Sequence, residues 1–437
     1  MQIFCPNYLR IPNFCITFAL AKLAKPAKLV KPAKHINMQT LLLLFMALVI
    51  DTTAVDSVTT DSVEGFRFTT IDSVAITPVK DQHRSGTCWC FSGISFLESE
   101  IMRLKTEELP DLSEMFVVNH TMMDRAEYVV RMYGSVQYAP GGWCNDVIYC
   151  LRNYGLVPQE VMPGIQYAWS PKDTLPVHTE LDAVAKAYIG ALTNGKLKKL
   201  SPVWKKGLQA IYDTYLGACP TEFTYHGKTY TPLSYAQSLG LNADDYMDFT
   251  SYTHHPFYTR FALEVPDNWR MSQNYNVPID DLIAIIDNAI AHGYTLAWGA
   301  DISELTFNRK GVAVMPDADR GVELTDTDMA TWIGYDDKAK KDALTKRPLP
   351  EMEITQQMRQ EAFDNQETTD DHGMQIFGIA HDQNGKKYYM VKNSWGSGER
   401  FDYRGIWYVS EAYMRYKTND ILVHRDAVPK RILKMME

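Results

Sequence analysis

The segment Asp81-Gln-His-Arg-Ser-Gly-Thr-Cys-Trp-Cys-Phe-Ser-Gly93 carries two cysteines two positions apart, Cys88 and Cys90. Phe91, Ile94, Leu97 and Ile101 recur with helical spacing, which predicts a helix over Cys88 to Lys105. A thiol at the first residue of a helix feels the partial positive charge of the unpaired N–H groups, which lowers its pKa and favours thiolate. Cys90 lies about 200° further round the helix, so it turns into the protein when Cys88 faces a cleft. Cys88 is therefore the candidate nucleophile and Cys90 a small core residue.

A thiolate nucleophile needs a base and a group that orients that base. Of 11 histidines, His372 and His381 stand upstream of Lys392-Asn-Ser-Trp-Gly396. Met374 to Ala380 alternates as a strand, Asp382-Gln-Asn-Gly385 is a turn signal and Lys386 to Lys392 is a second strand, which together read as a β-hairpin. Folding about that turn sets His372 beside Asn393 at the open end. His381 falls at the turn, roughly 30 Å away at about 3.3 Å per residue. Hairpin geometry selects His372 as the base.

The elements that must position these groups follow from periodicity and breakers. Ala139-Pro-Gly-Gly142 is a turn into a helix over Cys144 to Asn153, which stops at Tyr154-Gly155. Glu180 to Thr193 and Val203 to Leu216 read as a helical hairpin, and Pro278 to His292 as a helix followed by a strand over Tyr294 to Gly299. Helical patterns also lie near Met329 to Leu344 and Thr355 to Phe363, and residues 372 to 425 alternate short strands with turns. Segregated helix-rich and strand-rich parts indicate an α+β fold.

A chain of 437 residues with 46% hydrophobic composition can bury a large core. A formal charge of -9 offers no basic face for nucleic acid, so the expected partner is a peptide, protein or small molecule. The first fifty residues hold no acidic side chain, and Lys22, Lys25, Lys28, Lys31 and Lys34 recur every third position. Ten apolar residues, Leu41 to Ile50, then precede Asp51-Thr-Thr-Ala54, the pattern of a signal peptide cleaved after Ala54, with Met38 as an alternative start. Ten residues span about 15 Å as a helix, too short for a bilayer core of about 30 Å. Export without stable membrane insertion is the expectation, a transit peptide or a cytoplasmic protein the alternative. Residues 1–54 are thus a leader and 55–437 the functional domain. Beyond the leader, Cys88, Cys90, Cys144, Cys150 and Cys219 are an odd set that implies no disulfide scaffold, and their spacing matches no zinc site. His254-His255 is expected to be structural, since neighbouring side chains point apart; no metal or cofactor is expected.

Gln82, Cys88-Trp89, His372 at the start of a strand and Asn393-Ser-Trp-Gly396, in this order, resemble the papain-like cysteine peptidases. Ser85-Gly-x-Cys88-Trp89, Gly141-Gly142, Tyr154-Gly-Leu-Val-Pro158 and His372-Gly-Met look like the bleomycin hydrolase and aminopeptidase C branch, over nearly all of residues 65 to 437. The resemblance implies a papain-like fold, a helical left subdomain against a β-barrel-like right subdomain. It also implies a peptidase acting through a Cys88 thioester, with His372 as base and later acid, Asn393 orienting the imidazole, Gln82 donating to the oxyanion and Trp395 covering the Asn393–His372 bond. Gly141 and Gly142 would let an extended substrate backbone approach, and the strand ending Trp298-Gly-Ala-Asp301 would form a subsite wall. Cys88 and His372 are 284 positions apart, about twice the roughly 130 of a minimal papain-like domain. Helical insertions at about 160–290 and 316–371 are expected to supply the surplus. The branch further implies aminopeptidase action, a C-terminal arm (about 426–437) that enters the cleft, and a hexamer. An endopeptidase with an open cleft and a catalytically idle binding protein are the alternatives.

Overall fold

The computed structural model describes residues 65–437 except 106–108, 169, 171, 309 and 318–335. The expected leader, its apolar run and part of the second insertion lie outside the described residues. Among the described residues no helix is long and apolar enough to cross a membrane.

In chain order the helices are α1 (Cys88–Arg103), α2 (Glu114–Arg131), α3 (Cys144–Asn153), α4 (Thr179–Thr193), α5 (Trp204–Leu216), α6 (Pro232–Ser238), α7 (Ile279–Ala291), α8 (Asp337–Leu344), α9 (Gln356–Asp364), α10 (Glu411–Lys417) and α11 (Lys430–Met435). The strands are β1 (Phe68–Ser73), β2 (Phe223–Tyr225), β3 (Lys228–Tyr230), β4 (Tyr246–Thr250), β5 (Arg260–Ala262), β6 (Gln273–Asn276), β7 (Leu296–Ala300), β8 (Phe307–Asn308), β9 (Val312–Ala313), β10 (His372–Asp382), β11 (Lys387–Lys392), β12 (Ile406–Ser410) and β13 (Thr418–His424).

One large sheet runs β5-β6-β4-β13-β7-β10-β11-β12-β9-β8, with β1 added on β10. The strand β10 changes partner along its length. Residues 372 to 376 pair with β7, while Gly378 to Asp382 pair with β1, and the register against β11 shifts between Ile376 and Gly378. A bulge bends a strand and lets it serve two neighbours. Gly378 fits the corner because a Cβ there would stand 2.8 Å from the carbonyl oxygen of Asp72.

Two large apolar clusters and three small ones lie among the described residues. Of the large ones, one lies among α1 to α6, and the other between the sheet, α7 and α11. Helix α1 is buried almost throughout, and its N-terminal residue meets the sheet where β7 ends and β10 begins. Buried charges interrupt the apolar periodicity of helix α2, which no sequence pattern marks: Glu114 and Arg125 lie inside along with Phe116, Val117 and Val129. Ser113 caps it by accepting from the Phe116 N–H at 3.1 Å.

The first expected insertion is not purely helical. Residues 160–290 also contribute β2 to β6, of which β4, β5 and β6 extend the main sheet beyond β13. These strands are three to five residues long, too short to show an alternating pattern. The C-terminal tail also differs from the expected arm. It forms α11, with Ile432 fully buried, Asn288 Nδ2 donating to Ala427 O at 2.7 Å and Arg431 paired to Asp281 at 2.6 Å. Leu433, Met436 and Glu437 line a cavity of about 480 Å³ with Asn145, Arg152 and Arg260; neither Cys88 nor His372 lines it. Ile432, with Leu433 and Met436 beside it, thereby joins the apolar cluster that holds α7.

Candidate active site

Cys88 opens α1 with Thr87 before it. The turn into the helix needs Gly86, whose φ of 65° lies in the left-handed region and whose absent Cβ leaves room for Pro140. Cys90 points the other way: it is fully buried and donates its S–H to the Glu114 carbonyl at 3.3 Å. All five cysteines of the described residues are free.

The hairpin brings His372 and Asn393 together. Gln375 pairs with Lys392, and His372 Nε2 lies 2.8 Å from Asn393 Oδ1. Because Asn393 Oδ1 also accepts from the Ser394 N–H at 2.7 Å, the amide oxygen is the acceptor and His372 Nε2 carries the proton. The other nitrogen, Nδ1, is then the unprotonated one, the tautomer a base for a thiol requires. The Trp395 ring lies 4.9 Å from that of His372, tilted by 35°. His381 is paired with Lys387 near the turn, nine positions along β10.

Gln82 is tied to the same hairpin. Its N–H donates to Ser394 O at 2.8 Å, and its Oε1 accepts from Ser394 Oγ at 2.6 Å. The side-chain oxygen is thereby held, and the NH₂ end is left to donate.

Electrostatics at the thiol differ from the expectation. Burial pushes Cys88 up to about 12; backbone donors at Gly373 and Trp89 pull it down, and the carboxylates of Asp267 and Asp370 push it further up. Burial likewise takes His372 down to about 4, against the opposing hydrogen bond of Asn393. Desolvation thus disfavours charge on both groups and opposes the helix terminus, which favours thiolate.

Gly141 and Gly142 were expected to make room for substrate. A Cβ at Gly141 would stand 2.2 Å from Asp267 Oδ2, and one at Gly142 would stand 2.9 Å from the Trp89 ring. The space on those sides is used by the protein's own groups. Arg125, fully buried, donates to the Gly141 carbonyl and lies 3.8 Å from Asp267. The strand carrying Trp298 and Gly299 is β7, whose Ala300 is opposite His372.

Sequence reading missed a buried polar layer behind the site. Lys392 Nζ donates to Thr77 Oγ1 at 2.8 Å and Ser95 Oγ at 2.6 Å, and Lys80 bonds Glu98 at 3.2 Å and Glu114 at 2.7 Å. It also took His254 and His255 to point apart. Both turn toward Glu264, with Nε2 atoms 3.1 and 3.2 Å from its two oxygens, because the chain bends there and strand alternation does not hold.

A partly buried cysteine at a helix start, an imidazole held by an asparagine on the facing sheet and a glutamine amide tied to the residue after that asparagine form the site of a papain-like cysteine peptidase. Residues 66–168 match the papain family cysteine protease model, and residues 345–437 match the peptidase C1-like family model. Aminopeptidase G of Lactobacillus delbrueckii subsp. lactis is 23% identical, with 80% of this chain and 82% of that protein covered. Aminopeptidase C of Listeria monocytogenes is 22% identical with 83% of each covered, and mouse bleomycin hydrolase is 20% identical with 82% and 83% covered. The crystal structure of PepW from Lactobacillus rhamnosis shares the fold, with a TM-score of 0.62 at 19% identity and 84% of each chain covered.

Proposed function

We propose that this chain is a cysteine aminopeptidase that removes N-terminal residues from peptides through a Cys88 thioester. The observation that carries the roles is the His372 Nε2 to Asn393 Oδ1 bond of 2.8 Å, which leaves Nδ1 as the proton acceptor. The Cys88 sulfur attacks the scissile carbonyl carbon as its proton passes to His372 Nδ1. Gln82 Nε2 and the Cys88 backbone N–H donate to the developing oxyanion, each such donor being worth roughly 3 kcal/mol in acyl transfer. His372 returns the proton to the leaving amine, and the C–N bond breaks to leave the thioester. Water, losing a proton to His372, then attacks the thioester carbon, and the acid and free thiol are regenerated. Trp395 keeps solvent from the Asn393–His372 bond. The relatives named aminopeptidase C and aminopeptidase G, aligned over most of their length, support the exopeptidase mode.

The test is mass spectrometry of the products from a defined peptide mixture. Stepwise loss of N-terminal residues supports this reading, cleavage at internal bonds indicates an open-cleft endopeptidase, and an intact mixture with an alkylatable Cys88 indicates an idle binding protein. Export directed by residues 1–54, and a hexameric assembly, belong to the same reading. Mature N-terminal sequencing from the secreted fraction tests the first, and light scattering the second.

A further inference from the structure

An aminopeptidase must recognise a free α-ammonium group, and the described tail packs on α7 instead of reaching Cys88. The cleft has its own acidic groups. Asp267 lies over Gly141, so close that a Cβ on that glycine would meet Oδ2 at 2.2 Å. Asp370, two residues before His372, accepts from the backbone N–H of Asp267, and its Oδ2 is buried without a hydrogen-bond partner. The fields of both carboxylates reach the Cys88 sulfur.

We propose that Asp267 and Asp370 form the anchor for the substrate's N-terminal ammonium, and that Asp267 also closes the cleft beyond it. This rests on the aminopeptidase reading and adds the groups that enforce it. In a bound substrate the α-nitrogen is about 2.5 Å from the acyl carbon, so once the carbonyl carbon is at Cys88 the nitrogen must lie within the first few ångströms of the cleft. A carboxylate resting against Gly141 stands where a longer chain would continue along the glycine backbone. A free amine gains a charge-assisted hydrogen bond there. An acylated nitrogen meets a steric block and has no charge to offer.

The electrostatic environment fits a cationic ligand. The cation that faces Asp267 is Arg125, 3.8 Å away and also committed to the Gly141 carbonyl. The field of Asp370 also reaches the buried Asp420, which shares a hydrogen bond with Asp248, itself the acceptor of the Trp143 indole N–H at 3.0 Å. Burial and mutual repulsion hold Asp370 well above the ordinary carboxyl range, and burial lifts Asp267 to about 6. An ammonium between them supplies the missing positive charge and allows ionisation.

The experiment compares kcat/KM for leucyl aminocoumarin amide with that for its N-acetyl counterpart, in the wild type, Asp267→Asn, Asp370→Asn and the double variant. The readout is the ratio of the two constants, which general damage to the fold or to Cys88 does not change. We expect each single variant to lower the free-amine to acetyl ratio by about tenfold or more, the size of a charge-assisted hydrogen bond, and the double variant to lower it further. A wild-type preference for the free amine that survives in all three variants overturns the anchor while leaving the aminopeptidase reading intact. Wild-type cleavage of the acetylated compound alone overturns both. A loss confined to arginyl substrates, with leucyl ratios unchanged, overturns the proposal by assigning the acids to a basic side chain.

Discussion

Ser394 donates its hydroxyl to Gln82 Oε1 at 2.6 Å, so a residue next to Asn393 holds the oxygen end of the Gln82 amide and leaves its NH₂ end to donate. Gln82→Ala is expected to lower kcat by about 10² with little change in KM, because its donor serves the transition state. Ser394→Ala leaves the amide free to rotate, and a smaller fall in kcat, about threefold to tenfold, is expected by the same logic. Steady-state kinetics on one peptide substrate check both; an unchanged kcat in Gln82→Ala removes that residue from the oxyanion site.

Cys88 and Cys90 share one helix and have opposite fates. Cys88→Ala is expected to abolish turnover. Cys90→Ser keeps at least roughly a tenth of it and loses about 1–3 kcal/mol of stability, the usual size of a core defect. Its sulfur lies in the core against the Glu114 carbonyl, and a hydroxyl keeps the hydrogen bond but loses volume. Turnover and urea melts on the two variants decide it, and an active Cys88→Ala would reverse the assignment.

His372 and His381 stand at opposite ends of β10, roughly 30 Å apart at about 3.3 Å per residue. His372→Ala is expected to slow alkylation of Cys88 by iodoacetamide at pH 7 by about tenfold or more, since a thiol pushed up to about 12 by burial has no other base to take its proton. His381→Ala is expected to react like the wild type. Equal slowing in both would sink the hairpin geometry.

Burial pushes Asp248 up to about 7, against hydrogen bonds from Asp420, the Trp143 indole and Asn274 that favour its ionised form. The sign follows from linkage. Its folded pKa lies above the unfolded value of about 3.9, so its contribution is fully present below pH 4 and is lost as pH rises through 7. Asp248→Asn keeps an acceptor for Trp143 and removes the titration. Its melting temperature relative to wild type is therefore expected to rise between pH 4.5 and pH 8, by an amount on the order of 1–3 kcal/mol in stability. Calorimetry at the two pH values checks it, and a pH-independent difference would mean that the proton of the hydrogen-bonded pair resides on Asp420 and not on Asp248.

Much of the site is legible in sequence because its parts are locally encoded. Cys88 is read from the first residue of a periodic helix, and His372 and Asn393 from two strands joined by a turn whose length sets their register. Helices α1, α3, α4, α5 and α7 are read within one or two residues, since each carries an apolar stripe and a recognisable stop. Short strands such as β5 and β6 and the charged core of α2 do not announce themselves, because three residues cannot show a period and buried ions look like a solvated face.

The sequence by itself determined which residue types could do the chemistry and the order in which the chain presents them. Tertiary structure decided their electrical state. The helix terminus alone predicts a lowered thiol pKa at Cys88, but packing against Gly373 and the sheet removes water from it, and burial pushes the thiol up. Tertiary structure also chose the neighbours: Asp267 reaches Gly141, and Asp370 reaches Asp267, across more than a hundred residues of chain. No local pattern records such a contact, because it depends on where α3, the loop after β5 and the start of β10 converge once their apolar faces are buried together.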